Sequence, residues 1–442
     1  MNLPEAFIRN TKNIVGAEYT ALEKALESPT PISIRINNKM DYVPSNEQVA
    51  WCETGYYLKN RPLFTADPLF HAGAYYVQEA SSMFLHQVVK QHFAQAETVL
   101  DLCAAPGGKS TLLTQALSEN SLLVSNEIIR SRAYILAENL IKWGNPNVIV
   151  TNNEPRDFDA LPSFFDVVVI DAPCSGEGMF RKDTGAIDEW SEYNVTLCAA
   201  RQREILTDVW DSLKTDGLLV YSTCTFNKIE NEENVKWICE ELGAELLNVD
   251  LHGNKEITMT DFGYRFYPHK TKGEGFFISV LRKTSQNNRF LRRKKDEFKG
   301  LKSIPSSQFK FSLLKPDDWI ITLENNQILA YNTKKLNDYL LINKHLKCMF
   351  SGLVLGEMKG TDFIPSHNLA LSKVLDKTLV EIEDVDYETA ILFLKKEAIT
   401  LSTASKGYIL ITYKNLSLGW VKNLGNRSNN LYPHEWRIRM KL

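Results

Sequence analysis

The sequence lacks the marks of several protein classes, and each absence narrows what it can be. No apolar run approaches the roughly 18–20 residues that a bilayer-spanning helix requires. The opening stretch MNLPEAFIRNTKN has no apolar core behind a basic start, so no secretory signal is expected. Cysteines are few and odd in number: Cys52, Cys103, Cys174, Cys198, Cys224, Cys239 and Cys348. None form a CxxC pair, and none of the eight histidines has metal-ligand spacing. A disulfide framework and a zinc site are therefore not expected. The expectation is a cytoplasmic, metal-independent protein in which any important cysteine works as a free thiol.

Net charge is also small, -3 from 51 basic and 54 acidic residues. The average hides a cluster of Arg282, Lys283, Arg289, Arg292, Arg293, Lys294, Lys295, Lys299 and Lys302, set against only Asp296 and Glu297. From charge alone this reads as a solvated linker. Beside a catalytic domain it would also track phosphates.

At 442 residues the chain is long enough for two or three domains. The first eighty or so residues read as a small mixed module, with a helical stretch near 17–27 and the strand-like alternation PISIRINN. From Glu97 the pattern becomes short apolar runs separated by helix-length polar stretches: ETVLDLC, LLVSNE, NVIVT, FDVVVIDAP and GLLVYSTCT, then AELLNV and GFFISVLR. Val/Ile/Leu strands alternating with helices predict a parallel sheet covered on both faces. The expected fold is α/β, doubly wound and Rossmann-like, with ligands at the carboxyl ends of the strands. Beyond the basic stretch, DWIITL, QILAY, GLVLGEM, GYILITY and LSLGWV predict one or two small β-rich modules.

The first strand of the sheet runs into Asp101-Leu-Cys-Ala-Ala-Pro-Gly-Gly-Lys-Ser-Thr. Small residues and two glycines let a backbone approach a ligand, and the following helix presents free N–H groups. A phosphate-binding P-loop needs glycine where Cys103 stands, and the dinucleotide fingerprint G-x-G-x-x-G is absent. Glu127 ends the second strand, twenty residues past Gly107, where a carboxylate can accept both hydroxyls of a ribose. An adenosine cofactor without a polyphosphate fits best, and S-adenosylmethionine is the common case.

The fourth strand ends in Asp171-Ala-Pro-Cys174-Ser-Gly and the fifth in Ser-Thr-Cys224-Thr. A doubly wound sheet brings both loops to the cofactor edge. Two thiols at adjacent strand ends point to carbon as the methyl acceptor. C5 of cytosine is a poor nucleophile until a thiolate adds at C6 and converts the ring to an enamine. A carboxyl group such as Asp171 would hold the base near N3 and N4. The residues alone leave open which cysteine attacks.

These segments, together with SIRIN (Ser33–Asn37), YYVQEASSM (Tyr75–Met83), FRKD, NKIENEENV and RFYPHKTKGEGFFISVLRK, resemble the NSUN/RsmF-type RNA cytosine-5 methyltransferases, nearly continuously from about residue 30 to 283. The later RFYPHKTKGEGFF and LGWVKNLGNR resemble the bacterial RsmF-like branch. The resemblance implies a nucleophilic Cys224, and a Cys174 that helps break down the adduct and release product. It also implies a cofactor loop of Cys103, Ala104, Ala105, Pro106, Gly107, Gly108 and Lys109, with Glu127 on the ribose and Asp171 on the target base or cofactor. The acidic residue that the family places near the adenine would be Glu154, unless Asn153 fills that role.

The implied partner is RNA, most simply small-subunit rRNA, bound by a monomer. The implied organisation is an RNA-binding module at 1–84, the methyltransferase domain at 85–283, a basic linker at 284–305, an intermediate module at 306–370 and a PUA-like module at 371–442. A tRNA cytosine-5 enzyme and a non-catalytic rRNA-binding or ribosome-assembly factor are the rival readings.

Other side chains carry weaker expectations. Arg35 would touch RNA or brace the catalytic face. Arg181 and Lys182 would contact phosphates or merely flank a helix. Tyr75, Tyr76 and Phe266 would stack on an unpaired base or pack in the core. His269 is a secondary candidate for a proton shuttle.

Overall fold

The computed structural model describes residues 1–40, 44–291, 303–305, 311–360 and 362–440. At the N-terminus, helices Glu5–Val15 and Tyr19–Leu26 carry Phe7, Leu22 and Leu26 on their buried faces. These side chains pack with Phe180, Trp190 and Phe226 beside the two cysteine loops. Strands β1 (Ile32–Ile36), β2 (Gly55–Leu58) and β3 (Tyr75–Val77) form a small antiparallel sheet with β1 in the middle. Ile34 and Ile36 on one face pack with Tyr56 and Tyr75. The period of two turns Ser33 and Arg35 to the opposite face, and both are buried there.

Among the described residues the central sheet has ten strands. Five are parallel: β4 (Thr98–Asp101), β5 (Leu122–Asn126), β6 (Val148–Thr151), β7 (Phe165–Asp171) and β8 (Leu213–Thr223). After these come β9 (Ala244–Leu246), β10 (Thr258–Thr260), β11 (Gly263–Phe266) and β12 (Phe276–Lys283). Strand β12 runs antiparallel beside β8. The order is β10-β11-β12-β8-β7-β4-β5-β6, with β9 on the edge of β12. Successive crossovers reverse direction between β4 and β7, which opens a crevice at their carboxyl ends.

The apolar runs alternate between two faces because every second side chain points the same way. Val99, Val167, Val169 and Val220 face helices Leu85–His92, Gly108–Ala116 and Arg130–Trp143. Leu100, Val168, Ile170 and Leu219 face helix Glu192–Val209, which starts where Ser191 Oγ accepts from Asn194 N. The doubly wound α/β fold expected from the strand pattern is the one formed.

Of the basic cluster, residues 292–302 lie outside the described ones. The three before them already have protein partners, and the burial of Lys283 corrects its reading as a phosphate contact. Lys283 is buried on the carbonyls of Trp210 and Leu213, Arg282 pairs with Glu245, and Arg289 pairs with Asp159.

Further on, β13 (Trp319–Glu324), β14 (Gln327–Asn332), β16 (Leu353–Lys359) and β17 (Asp362–Pro365) form an antiparallel sheet. Between them, β15 (Cys348–Ser351) leaves that sheet and pairs antiparallel with β6, extending the central sheet. The last sheet holds β18 (Glu381–Asp384), β19 (Gly407–Tyr413), β20 (Leu416–Asn423) and β21 (Ser428–Asn430). No helix among the described residues is long and apolar enough to cross a membrane.

Candidate active site

Strand β4 delivers Asp101 to the crevice. Its carboxyl group is fully buried, and Oδ2 accepts from Ser110 Oγ at 2.6 Å. Burial pushes its pKa up to about 7, against the hydrogen bond from Ser110 and the charge of Lys109. The chain then turns at Gly107, whose φ of 112° suits glycine. A Cβ there would also press on Leu136 Cδ1 at 3.3 Å. At the end of β5, Glu127 is buried, accepts from Ile129 N at 2.8 Å and pairs with Arg132 at 3.2 Å.

Strands β7 and β8 are neighbours in parallel register, with Asp171 opposite Ser222. Their loops therefore leave the sheet side by side. Cys174 Sγ lies 3.1 Å from Cys224 Sγ, and Cys224 N donates to Cys174 Sγ at 3.3 Å. The hydrogen bond to Cys224, then burial, then the charges of Cys224 and Glu230 push the Cys174 thiol well above its ordinary range. Both oxygens of Asp171 are engaged: Oδ1 accepts from Ser222 Oγ at 2.9 Å, and Oδ2 meets Lys109 Nζ at 2.7 Å. Burial would lower the Lys109 pKa, but Asp171, Asp101 and Cys224 together raise it. Lys109 is thus held as a cation.

Two buried carboxylates brace the cysteine loops. Glu230 accepts from Ser175 N, Ser175 Oγ, Gln202 Nε2 and Asn227 Nδ2. Glu177 accepts from the backbone N–H groups of Phe226 and Asn227, both at 2.8 Å, and from Trp190 Nε1. Each carboxylate ties the Cys174 loop to the Cys224 loop.

Two cavities meet at these loops. A cleft of about 580 Å³ is lined by Glu127, Ile128, Glu154, Pro155, Arg201 and Asp208, among others. A second cavity of about 280 Å³ is lined by Tyr76, Gln78, Glu79, Lys109, Lys182 and Phe276, among others. Both reach Cys103, Ala105, Asp171 and Cys224. The arrangement can hold one ligand on each side of a thiol.

The structure sorts the expected site residues between these spaces. Cys224, Cys174, Asp171, Glu127 and Glu154 all border the larger cleft. Ala104, Pro106, Gly108 and Lys109 border the smaller cavity, and Gly107 lines neither, serving the turn. Of the adenine-side alternatives, Glu154 lines the cleft, whereas Asn153 is buried and bonded to the backbone of Lys347.

The weaker candidates separate as well. Arg35 is fully buried and braces the catalytic face, so it cannot touch RNA. Arg181 is no phosphate contact, because it is buried against Glu274 at 3.0 Å. Phe266 packs among Trp51, Phe84 and Phe276 in the core, and Tyr75 is bonded to Asp67. Tyr76 and Lys182 do reach the smaller cavity. His269 is turned toward Glu18, away from both cavities. Arg132, Arg201 and Asp208 line the cleft without any motif of their own. For Arg201 and Asp208 the available signal is their seven-residue spacing on one helix face.

Comparison with known proteins assigns the chain to a family. The model of 16S rRNA methyltransferase RsmB/F matches residues 89–282. The RsmF N-terminal domain matches 3–80, and the RsmF PUA domain matches 381–438. A ribosomal RNA small subunit methyltransferase F from Shewanella piezotolerans is 30% identical over 408 residues, covering 88% of this chain and 85% of the relative. The chain belongs to the RsmB/F family.

RsmB/F enzymes are S-adenosylmethionine-dependent methyltransferases, and the Glu127 cleft has the chemistry for such a nucleoside, a buried carboxylate beside apolar Ile128 and Pro155. Another methyltransferase F, from Aliivibrio fischeri, is 29% identical over 98% of this chain and 97% of its own length. One from Pectobacterium atrosepticum is 33% identical, but the match spans 64% of this chain and only 63% of that relative. Among solved structures, a methyltransferase homolog protein from Pyrococcus horikoshii superposes with a TM-score of 0.55 and 27% identity, over 63% of this chain and 95% of that one. NSun6 from the same organism gives a TM-score of 0.53 at 22% identity, over 64% and 99% of the two chains, a likeness of fold.

Proposed function

We propose that this protein transfers a methyl group from S-adenosylmethionine to C5 of a cytosine in small-subunit rRNA, through a covalent adduct with Cys224. The observation that carries the reading is the pair of thiols, 3.1 Å apart, where the two cavities join. Methylation of a nitrogen or a hydroxyl would need neither thiol.

In this reading the larger cleft holds the donor, which when bound supplies an electrophilic methyl group. Glu127 accepts the ribose hydroxyls, and Glu154 lies toward the adenine. The smaller cavity receives a cytosine swung out of its stack. Asp171, fixed by Lys109 and Ser222, accepts from the exocyclic amine and holds the ring against the thiol. The Cys224 thiolate adds to C6, which makes C5 nucleophilic. After transfer the C5 proton must leave as the C6–S bond breaks. In this reading Cys174, a thiol in contact with Cys224, gives its proton to the departing Cys224 sulfur, and the thiolate so formed accepts the C5 proton. The catalytic unit in this proposal is residues 85–283, with RNA-binding modules at 1–84 and 371–442, joined through the linker 284–305 and the module 306–370.

The test is methyl transfer from labelled S-adenosylmethionine to small-subunit rRNA from cells lacking the protein, followed by mass spectrometry of the nucleosides. The expected product is 5-methylcytidine. Label on a nitrogen or ribose oxygen, or no label on any RNA, would overturn the reading.

A further inference from the structure

We infer that Gln78 positions the target base, its side-chain amide donating a hydrogen bond to the O2 carbonyl of the pyrimidine. The inference rests on the proposal that the smaller cavity receives a cytosine.

The orientation of the Gln78 amide follows from its neighbour. Arginine can only donate, and Arg35 Nε lies 2.8 Å from Gln78 Oε1. The oxygen therefore faces Arg35, and the NH₂ group must take the other branch. Arg35 itself cannot turn. It is fully buried, bonded through Nη1 to Gln115 Oε1 and through Nη2 to Thr111 Oγ1, both at 2.5 Å, and stacked 4.5 Å over Trp143. The Gln78 backbone is pinned as well, since its N–H donates to Ser33 O and its carbonyl accepts from Ser33 Oγ at 2.6 Å.

What remains is the NH₂ group. Among the described residues its one partner is Ser82 Oγ, at a long 3.4 Å. Gln78 is buried, with 6% of its surface exposed, yet it borders the cavity that also holds Lys109, Asp171 and Cys224. A buried amide with a spare N–H is costly unless something completes it. A bound base can do so. Cytosine offers a donor at N4 and acceptors at N3 and O2. Asp171 suits the amine, and a fixed amide donor suits the carbonyl. Together they would set the ring's angle to Cys224.

The discriminating variant is Gln78→Glu. It keeps the shape and the acceptor for Arg35, and replaces the donor with a carboxylate oxygen that repels the O2 carbonyl. The expected result is a folded protein with unchanged affinity for S-adenosylhomocysteine, and a kcat/KM for the RNA lowered by roughly 10- to 100-fold. The probe for the atom contacted is an RNA oligomer whose target cytidine is replaced by 2-thiocytidine, a poorer acceptor at that one position. Wild-type enzyme should lose about tenfold in kcat/KM on it, while Gln78→Ala should barely distinguish the two RNAs. Wild-type rates in Gln78→Glu would reduce Gln78 to an anchor for Arg35. A 2-thio effect that persists in Gln78→Ala would send the donor to another atom, and either result overturns the inference. Failure of wild-type enzyme to methylate cytosine at all would instead overturn the underlying reading.

Discussion

Glu230 lies among the side chains that join the two cysteine loops, and its removal has consequences that can be worked out donor by donor. It accepts from Ser175 N at 3.0 Å, Ser175 Oγ at 2.5 Å, Gln202 Nε2 at 2.8 Å and Asn227 Nδ2 at 2.7 Å. In Glu230→Ala three of these donors keep a second partner: Ser175 Oγ has Thr225 Oγ1, Gln202 Nε2 has Pro173 O, and Asn227 Nδ2 has Thr225 Oγ1. The backbone N–H of Ser175 keeps none among the described residues. One unsatisfied buried donor costs about 1–3 kcal/mol, and three weakened charge-assisted bonds add roughly 0.5 kcal/mol each. Burial raises the Glu230 pKa, so relief of desolvation returns part of that sum.

The expected net loss is about 3 kcal/mol for Glu230→Ala. In Glu230→Gln one oxygen still accepts and only Asn227 Nδ2 faces a donor, for about 1 kcal/mol. Urea unfolding followed by circular dichroism measures both. Because the loops would drift by a fraction of an ångström or more, adduct formation in Glu230→Ala should fall by about 10²-fold. Wild-type stability together with a wild-type rate in Glu230→Ala would refute the claim that this carboxylate holds the thiols in place.

Other predictions follow from the same structure. Arg181→Ala should cost about 3 kcal/mol, because it leaves Glu274 buried without its cation. RNA affinity of the folded variant should be unchanged, whereas a phosphate contact would show as a reduced salt slope in binding titrations. Asp101 has its pKa raised from 3.8 to about 7, so the native state keeps a proton that the unfolded chain has released. Its contribution to stability is present below pH 4 and lost as pH rises through about 7. Urea titrations across that range should show wild type losing this increment and Asp101→Asn lacking it. Glu127→Ala should weaken S-adenosylhomocysteine binding at least tenfold by calorimetry, with RNA affinity unchanged.

Much of the fold was legible because the signals were local. Each central strand is an apolar run bounded by polar helix-length segments, and DWIITL, QILAY, GYILITY and LSLGWV all became strands. The convergence of Asp171, Cys174 and Cys224 followed from strand ends on adjacent parallel strands. What stayed hidden depended on long-range packing. Nothing in CMFS announces a strand that leaves its own module to pair with β6. For Arg35, Arg181 and Lys283 the sequence left an RNA contact open beside a bracing, helix-flanking or linker role, because an isolated cation is usually solvated. Each is instead buried on a partner distant in sequence, Arg35 on Gln78, Arg181 on Glu274 and Lys283 on Trp210. The braces Glu177 and Glu230 were invisible for the same reason, since their donors come from several segments.

The central claim, that Cys224 attacks the base and Cys174 releases it, is tested most directly by trapping. Wild type, Cys174→Ala and Cys224→Ala are incubated with S-adenosylmethionine and small-subunit rRNA from cells lacking the protein, then resolved on a denaturing gel. The account predicts a covalent protein–RNA band that accumulates in Cys174→Ala and is absent from Cys224→Ala. A band that persists in Cys224→Ala, or methyl transfer by that variant without any band, would contradict it.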